Sequence, residues 1–476
     1  MLLCILLNHN YVNEVQTVAQ LFFPGASYEF AHERPPVYPA GYVVEAIIRD
    51  DTAIARIIKD NSLVAEHTLL TSTLPLSPRR ILMLALYHAL QAAVGAYTPW
   101  GALTGIRPSK MVREWLESGW GHSKIISTMQ DPFCCTQEKA QLALDIAISE
   151  ISLTKKIYES GSLPPIGIYI SVPFCPTRCI YCSFNVQHNY ANPNIYADYV
   201  AAVEEECKTQ AARLKQLGGR VSSIYIGGGT PTVLDEYLLE RLLNAVGAHF
   251  ASDVEYSVEA GRPDTLTKPK LDMLYRYGVN RIAVNPQTLN DKTLKLIGRR
   301  HLASDFFKGF DLAREAGFKC INTDVIVGLP NETSDDIRRT MEGVAGLSPE
   351  NITVHTLAVK RASKLNETLK QYSLPTAKET EEMLDIASKA CTHNGLMPYY
   401  LYRQKNMVGM FENVGYSKPG YECLYNVGMM AETQTVLGVG AGAVSKFVLG
   451  NLIRREFNTK NPEVYIERAN KYDTST

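Results

Sequence analysis

From Ile166 to about residue 358 the chain alternates short apolar runs with longer amphipathic ones, a pattern that few folds satisfy. Strands are expected at 166–172, 221–226, 254–259, 281–285, 320–327 and 351–358. Helices fall between them at about 194–217, 232–248, 267–277, 303–316 and 334–346, with a short one at 291–297. The first helix shows the period well: Tyr196, Val200, Val203, Cys207, Ala211 and Leu214 share one face. Strand–helix alternation through six strands means a parallel sheet with right-handed crossovers. When such a sheet curves into a barrel, chemistry gathers at the C-terminal ends of its strands.

Cysteines crowd the first of those ends. Cys175, Cys179 and Cys182 lie within eight residues, just after the apolar run Ile166–Val172. Three thiolates on one short loop can each bind a different iron of a cubane, leaving the fourth iron without a protein ligand. Iron–sulfur clusters are the usual partners of grouped thiolates in a reducing cell. Three other readings compete. Zinc wants four ligands, usually in paired form, and His188 could complete the set. Structural thiols rarely cluster beside a proline, an arginine and a strand end. A disulfide framework does not suit a chain of 476 residues without a secretory signal.

The other strand ends carry polar groups too. Gly227-Gly228-Gly229-Thr230-Pro231-Thr232 follows the second strand. Glycines there let backbone amides approach a polar ligand, or simply make a turn. The run is neither a Walker loop nor a dinucleotide fingerprint. Glu259 ends the third strand on the face shared by Glu255 and Ser257, as a ligand group or a solvated acid. Asn285-Pro286-Gln287-Thr288 follows the fourth strand, and Gly298-Arg299-Arg300-His301 lies in the next loop. Asp324 sits inside the apolar fifth strand, where a carboxylate is costly unless paired.

Together, Cys175, Cys179, Cys182 and the aromatic Tyr181 resemble the cluster motif of radical S-adenosylmethionine (SAM) enzymes. Tyr169 to Phe174 and Gly328-Leu329-Pro330 are similar to the oxygen-independent coproporphyrinogen III oxidase family within that superfamily. The resemblance covers roughly residues 163–450. It implies an α/β fold: a partial (β/α)6 barrel over 163–365, an N-terminal α+β domain and connecting helix in 1–160, and a mainly α family-specific domain in 366–476. It also implies a [4Fe-4S] cluster on the three cysteines, with Tyr169 among the catalytic groups. SAM contacts would come from Tyr181, Gly228, Gly229, Thr230, Glu259, Gln287, Arg299, Asp324 and Ile326. Arg299 suits the SAM carboxylate, because guanidinium can bind a carboxylate two-pronged.

The chemistry so implied begins with SAM chelating the open iron, followed by electron transfer that yields methionine and a 5′-deoxyadenosyl radical. The implied reaction is conversion of coproporphyrinogen III propionates to the vinyl groups of protoporphyrinogen IX in haem biosynthesis. A reductase, flavodoxin or ferredoxin would supply the electron. A substrate with four carboxylates wants cations, and Arg262, Arg300, Arg361 and Arg403 are candidates. Two positions depart from the best-known oxidases. Ser171 replaces a histidine, and Phe184 replaces a further, non-ligating cysteine. Phenylalanine there also occurs in the haem chaperone branch HemW. A chaperone without decarboxylase activity and a radical SAM methyltransferase are therefore the alternatives.

Lys+Arg 48 against Asp+Glu 49 gives no reason to expect a nucleic-acid binder. No run is long enough to span a bilayer. Met1–Leu7 is apolar but short and reads as a strand rather than a signal peptide. Ten cysteines without an export signal suggest a cytoplasmic protein. Further strands are expected at Tyr42–Ile48, Thr52–Ile58 and Leu63–Leu70, and helices from Ser77, at 109–117, 138–160 and 376–394. The loop Gly105–Pro108 and the run Asn426–Met430 resemble the HemZ branch of the family, and Gly438–Ser445 resembles the family's C-terminal region. Cys134, Cys135, Cys207, Cys320, Cys391 and Cys423 read as structural thiols.

Overall fold

The computed structural model describes residues 1–476 except 73, 97, 106, 184–193, 251–252, 361, 405–406, 451 and 474–476. Phe184, His188 and Arg361 thus lie outside the described residues. The chain forms two compact units, Met1–Leu144 and Asp145–Thr476, which divide inside the helix Gln137–Glu159.

The first unit is built on five strands: β1 (Leu2–Leu7), β2 (Tyr28–Ala31), β3 (Tyr42–Arg49), β4 (Thr52–Lys59) and β5 (Ser62–Leu70). Their order is β2-β1-β3-β4-β5, with β1 parallel to both neighbours and the rest antiparallel. The apolar N-terminal run is therefore an inner strand, with Leu2, Cys4, Ile5 and Leu6 buried. Asp50, Asp60 and Asn61 take positive φ in the hairpin turns, which Asp and Asn tolerate by bonding their own backbone. The helix Pro78–Val94 packs on the sheet, entered through Ser77 and ended by Gly95 at φ 72. Neither β2 nor the helix Val12–Phe22 was legible in the periodicity.

The second unit carries an 11-stranded sheet. Its first six strands are β6 (Pro165–Val172), β7 (Arg220–Gly228), β8 (Glu255–Glu259), β9 (Arg281–Ala283), β10 (Ile321–Val327) and β11 (Asn351–Thr356). They lie side by side in chain order, all parallel. The helices Ile195–Gln216, Glu236–His249, Lys268–Arg276, Ala303–Glu315 and Ser334–Gly346 connect them, close to the expected spans. β9 is shorter than the expected 281–285: Pro286 has no N–H with which to extend the ladder.

Residues after 366 add five more strands: β12 (Met397–Tyr402), β13 (Asn413–Ser417), β14 (Thr435–Val439), β15 (Val444–Leu449) and β16 (Leu452–Phe457). They continue both margins of the barrel sheet in the order β12-β13-β11 and β6-β14-β15-β16. Different strands form its two edges, so the sheet stays open, a partial barrel. The glycine run forms the end of β14 and a turn, with Gly440 at φ 94 and Gly442 at φ 75. Among the described residues no helix is long and apolar enough to cross a membrane.

One buried acid ties the C-terminal segment to the barrel. Glu255 on β8 accepts hydrogen bonds from the Leu424 and Tyr425 amides (2.8 and 2.9 Å), at the start of the helix Leu424–Met430. Arg281 on β9 lies 3.5 Å from the same carboxylate and also donates to the carbonyls of Tyr421 (2.7 Å) and Glu422 (3.1 Å). Removing the acid strands a buried guanidinium and two helix amides. Glu255→Ala should therefore lower the unfolding free energy by about 3 kcal/mol. Urea titration checks this, and an unchanged midpoint would refute the clamp.

Candidate cluster and cofactor site

The cysteine loop leaves β6 under tight backbone control. The Gly229 amide donates to Val172 O (2.8 Å) and the Thr230 amide to Phe174 O (2.7 Å), so the loop is strapped to the end of β7. A Cβ on Gly229 would stand 2.4 Å from Phe174 O and 2.7 Å from Val172 O; only glycine permits the approach. Phe174 is fully buried, its ring 4.6 Å from Tyr196 and 4.9 Å from Tyr199. Between the second and third cysteines, Ile180 enters an apolar cluster with Leu294, Ile297, Ile326, Leu357 and Leu365. Its amide donates to Ile297 O (3.0 Å), and its carbonyl accepts from the Leu365 amide (2.8 Å). The thiols thus hang on apolar anchors rather than on one another.

Cys175 Sγ lies 3.3 Å from Thr230 Oγ1, and burial pushes its thiol up to about 11. Cys179 is buried beside Arg299 and Tyr181. Arg262, 3% exposed, donates to Thr177 Oγ1 (2.9 Å) and pairs with Asp264 (3.1 Å), bracing the loop from the end of β8. None of the ten cysteines forms a disulfide.

The remaining strand-end residues gather around this loop. Glu259 accepts a 2.6 Å hydrogen bond from Tyr225 OH, and burial raises its carboxyl to about 7, helped by Asp324 and opposed by Tyr225. Asp324 is oriented by Asn285, whose Nδ2 donates to its Oδ2 (2.9 Å), and His355 Nε2 stands 3.7 Å from the same oxygen. Gln287 is held at φ 67, unusual for a residue with a Cβ, by hydrogen bonds to Asp324 O (3.0 Å) and from the Ile326 amide (2.9 Å). Arg299 donates through Nη1 to Asn285 O (2.7 Å) and Gly261 O (3.3 Å). That engages part of the guanidinium for which the resemblance implies a SAM carboxylate.

Tyr169 stacks with Tyr225 and Tyr425, centroids 6.2 and 6.1 Å apart, and those two rings lie 4.6 Å from each other. Ser171 donates to Ala441 O (2.8 Å), toward β14. Of the suggested carboxylate partners, Arg262 and Arg403 are buried and bonded to protein groups, whereas Arg300 is exposed.

Sequence reasoning passed over His355 and Lys360, and it named Asn285 only as part of a strand-end run. A lone histidine in the apolar run Asn351–Thr356 was the available signal for the first. Lys360 emerges only from the fold: it lines a cavity of about 280 Å³ together with Tyr181, Cys182, Gln287, Ile326 and His355.

The chain matches the radical SAM superfamily model over residues 169–344, which defines its class. It is 33% identical to the oxygen-independent coproporphyrinogen-III oxidase-like protein HemZ of Bacillus subtilis over 96% of this chain and 93% of the relative. The heme chaperone HemW of the same organism is 32% identical over 58% of this chain and 69% of its own length. The structure of coproporphyrinogen III oxidase (HemN) from Escherichia coli, a radical SAM enzyme, superposes with a TM-score of 0.53. That likeness, at 24% identity, covers 67% of this chain and 72% of HemN, and it speaks for the fold. The chain belongs to the oxygen-independent coproporphyrinogen III oxidase-like family of radical SAM proteins that includes HemZ.

A [4Fe-4S] cluster and SAM are the cofactors of this class. The residues present fit them. Gln287 Oε1 and Arg299 Nε are buried with no hydrogen-bond partner among the described residues, beside a loop whose thiols meet no disulfide. The absence of side chains at Gly227 and Gly228 meanwhile leaves room beside Glu259 and Ser171, each of which a Cβ there would crowd. Gly229→Ala tests the strap directly. The new methyl group must displace backbone on both sides, so iron and sulfide bound after anaerobic reconstitution should fall at least several-fold. Full cluster loading in that variant would contradict the tight approach.

Proposed function

We propose that the chain oxidatively decarboxylates the propionates of coproporphyrinogen III to the vinyl groups of protoporphyrinogen IX without oxygen. The observation that carries the reading is the similarity to an oxidase-like relative, which runs through 96% of the chain and so includes the first unit. Each of the two propionates converted, R–CH2–CH2–COO⁻, would give up a hydrogen atom, carbon dioxide and one electron to become R–CH=CH2, and the other two propionates would remain. An electron acceptor would take that last electron, and a reductase, flavodoxin or ferredoxin would be the donor.

When bound, the cluster and SAM supply a one-electron route to hydrogen-atom abstraction from an unactivated carbon. Cys175, Cys179 and Cys182 would hold the cluster. Tyr169 would be a catalytic group, and Tyr181, Gly228, Gly229, Thr230, Glu259, Gln287, Arg299, Asp324 and Ile326 would shape the SAM site. Asn285 keeps the Asp324 carboxylate aimed, and the buried Arg299 offsets negative charge near Cys179. Glu259 sits where a cationic ligand would draw its raised carboxyl back down.

A second reading draws support from the HemW relative: a haem chaperone that keeps the cluster and performs no decarboxylation. One anaerobic incubation with coproporphyrinogen III, SAM and a reductant separates the two. Protoporphyrinogen in the chromatogram supports the oxidase, while tight haem capture with no product supports the chaperone. Replacing any of the three loop cysteines by alanine should abolish 5′-deoxyadenosine release in either case.

The raised Glu259 carboxyl gives a pH-dependent signature. It is largely protonated below about pH 6 in the free protein and ionised once a cation sits beside it. SAM binding should then release a proton, increasingly as pH falls from about 8 to about 6. Calorimetry in two buffers of different ionisation enthalpy measures the release. Glu259→Gln should remove it, and equal heats in both buffers for the unaltered protein would count against Glu259 facing SAM.

A further inference from the structure

The cavity where β10 and β11 end holds a cation that nothing above uses. Cys182, Gln287, His355, Asn413 and Lys360 are among the residues that line it. Lys360 is part-buried, and among the described residues no carboxylate lies within ion-pair distance of its ammonium. Its backbone is fixed, because Lys360 O accepts from both the amide (3.0 Å) and the hydroxyl (2.6 Å) of Ser363. Burial lowers its pKa from the ordinary lysine value. A desolvated ammonium without a counter-charge is unfavourable until an anion joins it.

The protein's own acid nearby is committed elsewhere, since Asp324 is bound by Asn285 and faced by His355. The other polar lining groups suit an acceptor. Asn413 Oδ1 is taken by the Thr356 amide (2.8 Å), which leaves its Nδ2 as a donor. We propose that Lys360 anchors a ligand carboxylate in this cavity, beside the cluster loop. Two ligands could bring that carboxylate: SAM, through its methionyl end, or a tetrapyrrole, through a propionate. The second source rests on the function proposed above; the first does not.

The test uses the reconstituted full chain and its Lys360→Met and Lys360→Arg variants, with iron content and thermal unfolding as folding controls. One arm measures the KM for SAM in dithionite-driven 5′-deoxyadenosine release without substrate. The other measures the Kd for coproporphyrin III, a stable tetracarboxylate, by fluorescence quenching, with its tetramethyl ester as a charge-free control. Losing a charge-assisted contact should weaken one arm by about tenfold or more in Lys360→Met. Lys360→Arg should keep it within about threefold, because the charge is retained. Weakening confined to the SAM arm assigns the carboxylate to SAM, and weakening confined to the porphyrin arm assigns it to the substrate. If the unaltered protein binds no coproporphyrin yet Lys360→Met raises the KM for SAM, the anchor stands and the tetrapyrrole reading falls. Unchanged values in both arms overturn the anchor.

Discussion

Two backbone hydrogen bonds, from Gly229 to Val172 and from Thr230 to Phe174, carry the organisation of this site. They fuse the exit of β6 to the exit of β7, so the cysteine loop inherits the rigidity of a sheet. Loops ordinarily carry many conformations, and ordering each residue costs about 1–2 kcal/mol. Phe174 and Ile180 offset part of that cost by burial, each contributing about 2 kcal/mol. The thiols can therefore be preset without bonding to each other. That suits a cluster whose irons each ask for a separate sulfur.

Charge balance around the loop follows from the same burial. Glu259 is driven toward its protonated form, while Arg262 pairs with Asp264 and Arg299 donates to backbone carbonyls. His301, 2% exposed, has no hydrogen-bond partner for either ring nitrogen among the described residues, with Nδ1 3.8 Å from Asp264 Oδ1, and burial with the adjacent Arg299 lowers its pKa to about 4, so it stays neutral. In so poorly solvated a pocket, small changes of charge shift proton occupancy strongly. A cationic ligand would be felt by several groups at once.

The C-terminal segment extends the barrel sheet at both margins rather than merely following it. β13 and β14 lie against β11 and β6, the two strands that would otherwise be edges of the parallel array. Glu255 and Arg281 hold the helix that delivers Tyr425 onto Tyr225, beside the strand that ends in Glu259. An acid on the outer part of one strand thereby helps to position a ring in the barrel interior. Reading Glu255 in sequence offered only its parity with Glu259; its partner lies 170 residues later, at Tyr425.

The amino-acid sequence by itself determined the alternation of six parallel strands with their helices, the cysteine spacing and the polar residues at strand ends. Those are local properties: the period of apolar residues, the freedom of glycine and the chemistry of thiols all act within a few residues of one another. Only the tertiary structure decided that five late strands extend the sheet, that His355 and Asn285 flank Asp324, that Arg299 bonds backbone carbonyls and that Lys360 lines a cavity with no carboxylate at ion-pair distance among the described residues. Each of these depends on contacts between distant segments. β12 to β16 are short, and their pairing is set by the open margins they meet rather than by their own pattern.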